Sequence, residues 1–148
     1  MNHTIYENIL KSQLLTPALY TTSQNVNSLD HKGYKTNSHM INVGIDATLS
    51  GVNNWTFKLQ ESDDNSVWND VTDLECLSIV NNGILQSGVS NVVIDDPTED
   101  DAIVEFEYRG LKRYSRIVAT VAGTVNTPLS ITGLQERADI APVVGRSA

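Results

Sequence analysis

Apolar and polar residues alternate along most of this chain with the period of two that marks half-buried strands. In HMINVGID, His39, Ile41, Val43 and Ile45 share one face, while Asn42, Gly44 and Asp46 take the other. Trp55, Phe57, Leu59 and Glu61 alternate with Thr56, Lys58 and Gln60. The polar run ESDDNS then predicts a tight turn held by Asx side chains, and VWNDVT a returning partner strand. Further strands are predicted over residues 76–80, 89–94, 102–108, 113–121 and 128–136, with a compact turn at RGLK. The acidic stretch at 95–101 breaks the pattern, because Pro97 and repulsion between like charges both oppose a strand. Seven or eight short strands, with turns every 8–12 residues or about that, predict an all-β fold. The expected architecture is an antiparallel β-sandwich of jelly-roll-like kind.

Residues 1–37 depart from this pattern. Ile5, Ile9, Leu10 and Leu14 are spaced to mark one face of a short helix that Pro17 would end. From Thr21 to Asn37 the composition turns to Ser, Thr, Asn and Lys, which reads as an extended arm or linker. The expected organisation is thus an N-terminal arm or linker at 1–37, a β-sandwich domain at 38–137, and an extended tail at 138–148 containing Pro142 and Gly145. Ile5, Ile9, Leu10 and Leu14 would anchor the arm against a neighbouring subunit, since they fall outside the expected sheet core.

A chain of 148 residues is expected to form one domain. At that size folding hides about 70% of the unfolded surface, enough to stand without disulfides or metals. The net charge of −8 opposes binding to phosphate backbones, so no nucleic-acid partner is expected. Cys76 is the single cysteine, in the mixed apolar stretch DLECLSIV, and reads as a buried, inert thiol that suits a reducing cytoplasm. The first residues lack the pattern of a secretory signal, and no stretch approaches the roughly 18 apolar residues of a membrane helix. A soluble, unanchored chain is expected.

Residue chemistry yields few candidate sites. Asp63, Asp64 and Asn65 lack the spacing of a calcium loop. Asp95, Asp96, Glu99, Asp100 and Asp101 offer five carboxylates in seven residues, a better cation candidate that reads first as a solvated acidic loop. His3, His31 and His39 show no zinc-site spacing, and no serine lies in a nucleophile elbow. No catalytic residue, metal or cofactor is predicted, and the chain is not expected to be an enzyme. Trp55 shares a strand face with Phe57 and Leu59 and reads as core; Trp68, after the turn, is the first suspect for a glycan-binding surface. Arg109, Lys112, Arg113 and Arg116 place four of the ten basic residues within eight positions. They read equally as charges guarding a strand edge or as a surface that meets an acidic capsid or neighbouring subunit.

The blocks SLDHKGYKT, FKLQESDDNSVWNDV and YRGLKRYSRIVATVAGT, followed by a closing strand, resemble a family of small virion proteins of tailed bacteriophages and gene-transfer particles. The match covers roughly residues 28–136, and YRGLKRYSR is its most discriminating part. The resemblance implies a structural protein of the capsid exterior, a head decoration or vertex spike-base protein. Implied partners are the major capsid protein, further copies of the chain, and a spike or fibre protein docked on the C-terminal tail from Ala138. It implies synthesis in the cytoplasm of a bacterial host. Two other roles fit the same residues: a tail or neck protein at the head–tail connection, and a carbohydrate-binding accessory module using Trp68.

Overall fold

The computed structural model describes residues 8–80, 84–87 and 90–138, with the backbone alone at 78–80, 84–87 and 137–138. Among them lie twelve strands in two six-stranded sheets. The first sheet holds β1 (Ile9–Tyr20), β12 (Thr127–Ala138), β4 (Tyr34–Val43), β10 (Ala102–Tyr108), β7 (Cys76–Val80) and β8 (Ile84–Ser87), in that spatial order. In the second, β11 (Tyr114–Ala122) pairs on one side with the short β2 (Gln24–Asn25) and β3 (Leu29–Asp30), and on the other with β5 (Asn54–Ser62). The far edge of β5 is shared between β6 (Asn69–Asp70) and β9 (Asn91–Ile94). Every pairing is antiparallel.

The alternation seen in the sequence becomes the core between the sheets. Ile41, Val43, Val104, Phe106, Leu129 and Ile131 point inward from the first sheet, and Trp55, Phe57, Leu59, Ile117 and Ala119 from the second. Trp55 and Phe57 stack with ring centroids 5.9 Å apart, confirming Trp55 as core. The fold is therefore the expected all-β sandwich, with more strands than seven or eight because several are only two residues long.

The N-terminal expectation needs correction. Residues 9–20 form a strand and no helix, residues 24–30 contribute β2 and β3, and the boundary expected at 38 falls inside β4. Pairing with β12 along nearly its whole length overrides the helical spacing. A bulge between Gln13 and Leu15 sends two consecutive residues, Leu14 and Leu15, into the core, which destroys the period of two. Gly133 of β12 makes the room, since a Cβ there would come within 3.2 Å of Leu14 and 2.8 Å of Leu29. Pro17 sits at the second irregularity of this edge strand, where a missing N–H costs no ladder bond.

Two smaller expectations also shift. The ESDDNS turn forms as predicted, with the Asp64 carboxylate accepting the backbone N–H groups of Ser66 and Val67 at 2.9 Å each. Its return strand, however, is only Asn69–Asp70; the chain then crosses to the first sheet and comes back as β9 to finish the β5 edge. At the end of β4 the alternation reverses. Ile45 is 70% exposed, whereas Asp46 is 4% exposed and turned inward.

Candidate functional site

The register of β5 against β11, from Tyr114↔Ser62 to Ala122↔Asn54, gives the sandwich two distinct ends. Each end contains buried polar side chains, and the loops around each differ in charge.

At one end Ser115, wholly buried on β11, lies between two imidazoles. His31 Nε2 and His39 Nε2 are each 2.7 Å from Ser115 Oγ, and His31 Nδ1 is 3.0 Å from the Lys112 carbonyl. The hydrogen-bond inventory fixes the proton positions in the neutral cluster. The carbonyl can only accept, so His31 carries its proton on Nδ1 and accepts the Ser115 O–H at Nε2. Ser115 Oγ must then accept the Nε2–H of His39. That leaves His39 Nδ1 as a buried acceptor with no partner. Burial, with the neighbouring His31 adding to it, lowers the His39 pKa to about 3; burial also lowers that of His31, against the pull of the Lys112 carbonyl and Asp30.

Tyr108 completes this end. Its hydroxyl donates to Glu61 Oε2 at 2.5 Å and accepts the backbone N–H of Lys112 at 2.9 Å, which clips the 109–113 turn onto the sandwich. Burial first, and then the bond to Glu61, raise its pKa. Gly110 is required in that turn because a Cβ would overlap the Tyr108 hydroxyl. A serine flanked by two imidazoles has the composition of a nucleophile and its base. Ser115 has no exposed surface, however, and joins strands of opposite sheets, so the group is a clasp in this conformation.

The basic residues singled out in the sequence surround this clasp. Arg113 makes a two-pronged contact with Asp30 at 2.9 and 3.1 Å, and it lowers that carboxyl's pKa chiefly through this bond. Arg109 pairs with Glu107 at 3.1 Å, and Lys112 with Asp63. Arg116 gives both its Nε and an Nη to Gln60 Oε1 and lies 4.3 Å from the centre of the Trp68 ring. Trp68, the glycan candidate, is accordingly half-buried with Arg116 over its ring. Leu111 at the tip of the turn is 99% exposed, and Val67 and Leu74 stand exposed on the loops beside it.

At the opposite end Asp46 organises the loops. One of its carboxylate oxygens accepts the Thr48 backbone N–H and hydroxyl; the other accepts the Asn126 N–H at 2.9 Å and the Thr127 hydroxyl at 2.6 Å. Thr127 in turn accepts the indole N–H of Trp55 at 2.7 Å. Desolvation pushes the Asp46 pKa up, but these bonds together outweigh it and hold the carboxyl below its usual range. Asp100 accepts the Asp46 backbone N–H, tying in the 95–101 loop. The loops here, 44–54, 95–101 and 123–126, contain six carboxylates and not one lysine or arginine. Among the described residues no cluster of three or more His, Cys, Asp or Glu side chains is placed to hold a metal ion.

Of the proposed arm anchors, Leu14 is buried in the chain's own core, Ile9 and Leu10 are half-buried on β1, and Ile5 lies outside the described residues. Leu14 is therefore not available to a neighbouring subunit. The tail at 139–148 also lies outside the described residues. Cys76 is buried and its thiol is pushed up to about 12, first by desolvation, which makes it inert as expected. Sequence reasoning missed both clusters. Their local signal is a polar residue in phase with core positions: His39, Glu61 and Ser115 at one end, and Thr127 at the other.

No protein-family model matches the chain, and a comparison with curated proteins gives no match. Among solved structures the chain is similar to the SPBc2 prophage-derived protein YomS, with a TM-score of 0.49 and 16% identity, over 91% of this chain and 97% of that one.

Proposed function

We propose that this chain is a structural virion protein of a tailed phage, attached to the capsid exterior as a head decoration or vertex spike-base protein. It works by protein–protein contact, without chemical turnover. The reading rests on the sequence resemblance, and one observation supports it best. Two of the three blocks that carry the resemblance contribute adjacent strands, β5 and β11, and the turns attached to them emerge at the same end. Val67 and Leu111 stand exposed on those turns, Arg116 is stacked on Trp68, and three ion pairs surround them. A mixed surface of exposed aliphatics and arginines suits a protein partner.

Its partners are then the major capsid protein and copies of itself, and it is made in the cytoplasm of the bacterial host. Localisation on intact particles by cryo-microscopy, with antibody labelling of this chain, tests the reading. Density on the outer shell, at vertices or between capsomers, is the expected result. Density confined to the tail or neck would move the protein to the head–tail connection, and absence from particles would overturn the virion role.

A further inference from the structure

The outer face of the first sheet carries an open groove of about 800 Å³ at its Asp46 end, crossing β1, β12, β4 and β10. Its walls are Pro17, Leu19, Ile103 and Pro128, with Asp101 at the rim. Leu19 and Ile103 are 62% and 52% exposed, so the described residues leave this apolar surface uncovered. The 95–101 loop beside it adds five carboxylates, and the loops at this end contain no lysine or arginine. An occupant must bring an apolar side chain flanked by positive charge.

The opposite end of the same chain presents that combination. Leu111 projects from the tip of RGLKR, with Arg109, Lys112 and Arg113 around it. Each of those cations is engaged with an acid of its own chain, but in exposed pairs. Such exposed pairs are weak and can exchange partners readily. Because plug and groove lie at opposite ends, one copy cannot fill its own groove.

We propose that copies of this chain associate head to tail, the Leu111 turn of one seating in the Leu19–Ile103 groove of the next. The contact is heterologous, so repeated copies form a ring if the rotation closes and an open chain if it does not. The inference rests on the assembly reading above, but its failure is separable: a monomer in solution would overturn the contact and leave particle localisation to judge the virion role.

Sedimentation velocity on the full chain at low and high salt provides the test. The wild-type chain should associate with rising concentration, more weakly at high salt. Leu111→Asp and Ile103→Asp should each weaken association by about tenfold or more. Leu19→Asp supplies a second groove variant should Ile103→Asp not fold, with circular dichroism as the check. The decisive arm mixes the two variants. The Leu111→Asp copy keeps its groove and the Ile103→Asp copy keeps its plug, so an equimolar mixture should form a two-copy complex and nothing larger. A wild-type chain that stays monomeric at low salt overturns the proposal and leaves the groove to another protein. Failure of the mixture to pair would do the same, because plug and groove are then both present and do not meet.

Discussion

The two ends of the sandwich bury polar groups by opposite means. At the Asp46 end a carboxylate stays ionised because four donors converge on it, and the Trp55 indole extends the same network. At the Ser115 end two imidazoles stay neutral because desolvation drives off their protons, and one ring nitrogen is left with no partner. A buried group keeps its charge where hydrogen bonds replace water, and gives it up where they do not. The first end is fully satisfied and should be rigid. The second is held by neutral imidazoles, with His39 Nδ1 left over, so it responds to pH in the histidine range.

Breaking the Asp46 network should have the largest effect. Asp46→Ala strands the Thr48, Asn126 and Thr127 donors at once, and should cost about 3–4 kcal/mol in urea unfolding. A loss below about 1 kcal/mol would mean that water replaces the carboxylate, and the contrast between the ends would collapse.

The pH dependence comes next. His39 has a folded pKa of about 3 against an ordinary value of 6.5. Below 6.5 the unfolded chain takes up the proton first, so stability should fall as pH drops from 6.5 toward 3. The slope approaches about 1.4 kcal/mol per pH unit for one such group. His31, also lowered, acts in the same direction. Asp46, whose folded pKa is depressed, contributes stability that is present above its unfolded pKa of about 3.9 and lost as pH falls through the folded value. Denaturant midpoints measured from pH 7 to 4 should therefore decline in the wild type and flatten in His39→Leu. An equal decline in both would assign the acid sensitivity elsewhere.

Ser115→Ala sharpens the same end by removing the shared hydroxyl while leaving the rings. It should cost about 2 kcal/mol, because a donor on His39 and an acceptor on His31 lose their partner together. The smallest effect belongs to the surface. Arg113→Ala removes a two-pronged but half-exposed pair and should leave the denaturant midpoint nearly unchanged, with any small loss further reduced by salt. A larger, salt-independent loss would indicate that Asp30 and the 109–113 turn depend on it.

Much of the fold was legible in the chain. The inward faces of β5, β10 and β11 follow the alternation of Trp55, Phe57 and Leu59, of Val104, Phe106 and Tyr108, and of Ser115, Ile117 and Ala119. Alternation is a local property of the extended backbone, so it can be read wherever a strand is regular. It failed at β1, where the bulge turns Leu14 and Leu15 inward together, and at Gly44, after which Asp46 takes the inward position that the pattern gave to Ile45.

The candidate site was barely legible. The basic cluster around Arg113 could be found from spacing, but its pairing with Asp30 and Asp63 could not, nor the stacking of Arg116 on Trp68. His31 and His39 reach Ser115 across 84 and 76 residues, and Thr127 reaches Asp46 across 81. The His39 contact exists only once the two sheets have closed on one another, and the other two only once distant segments have paired within a sheet. By itself the sequence determined where the regular strands such as β5, β10 and β11 lie and which of their faces are apolar, because both follow from the geometry of a single extended segment. Tertiary structure alone decided that the N-terminal segment is an edge strand, that polar groups gather at the two ends, and that plug and groove point in opposite directions, because each depends on what a distant segment brings to meet it.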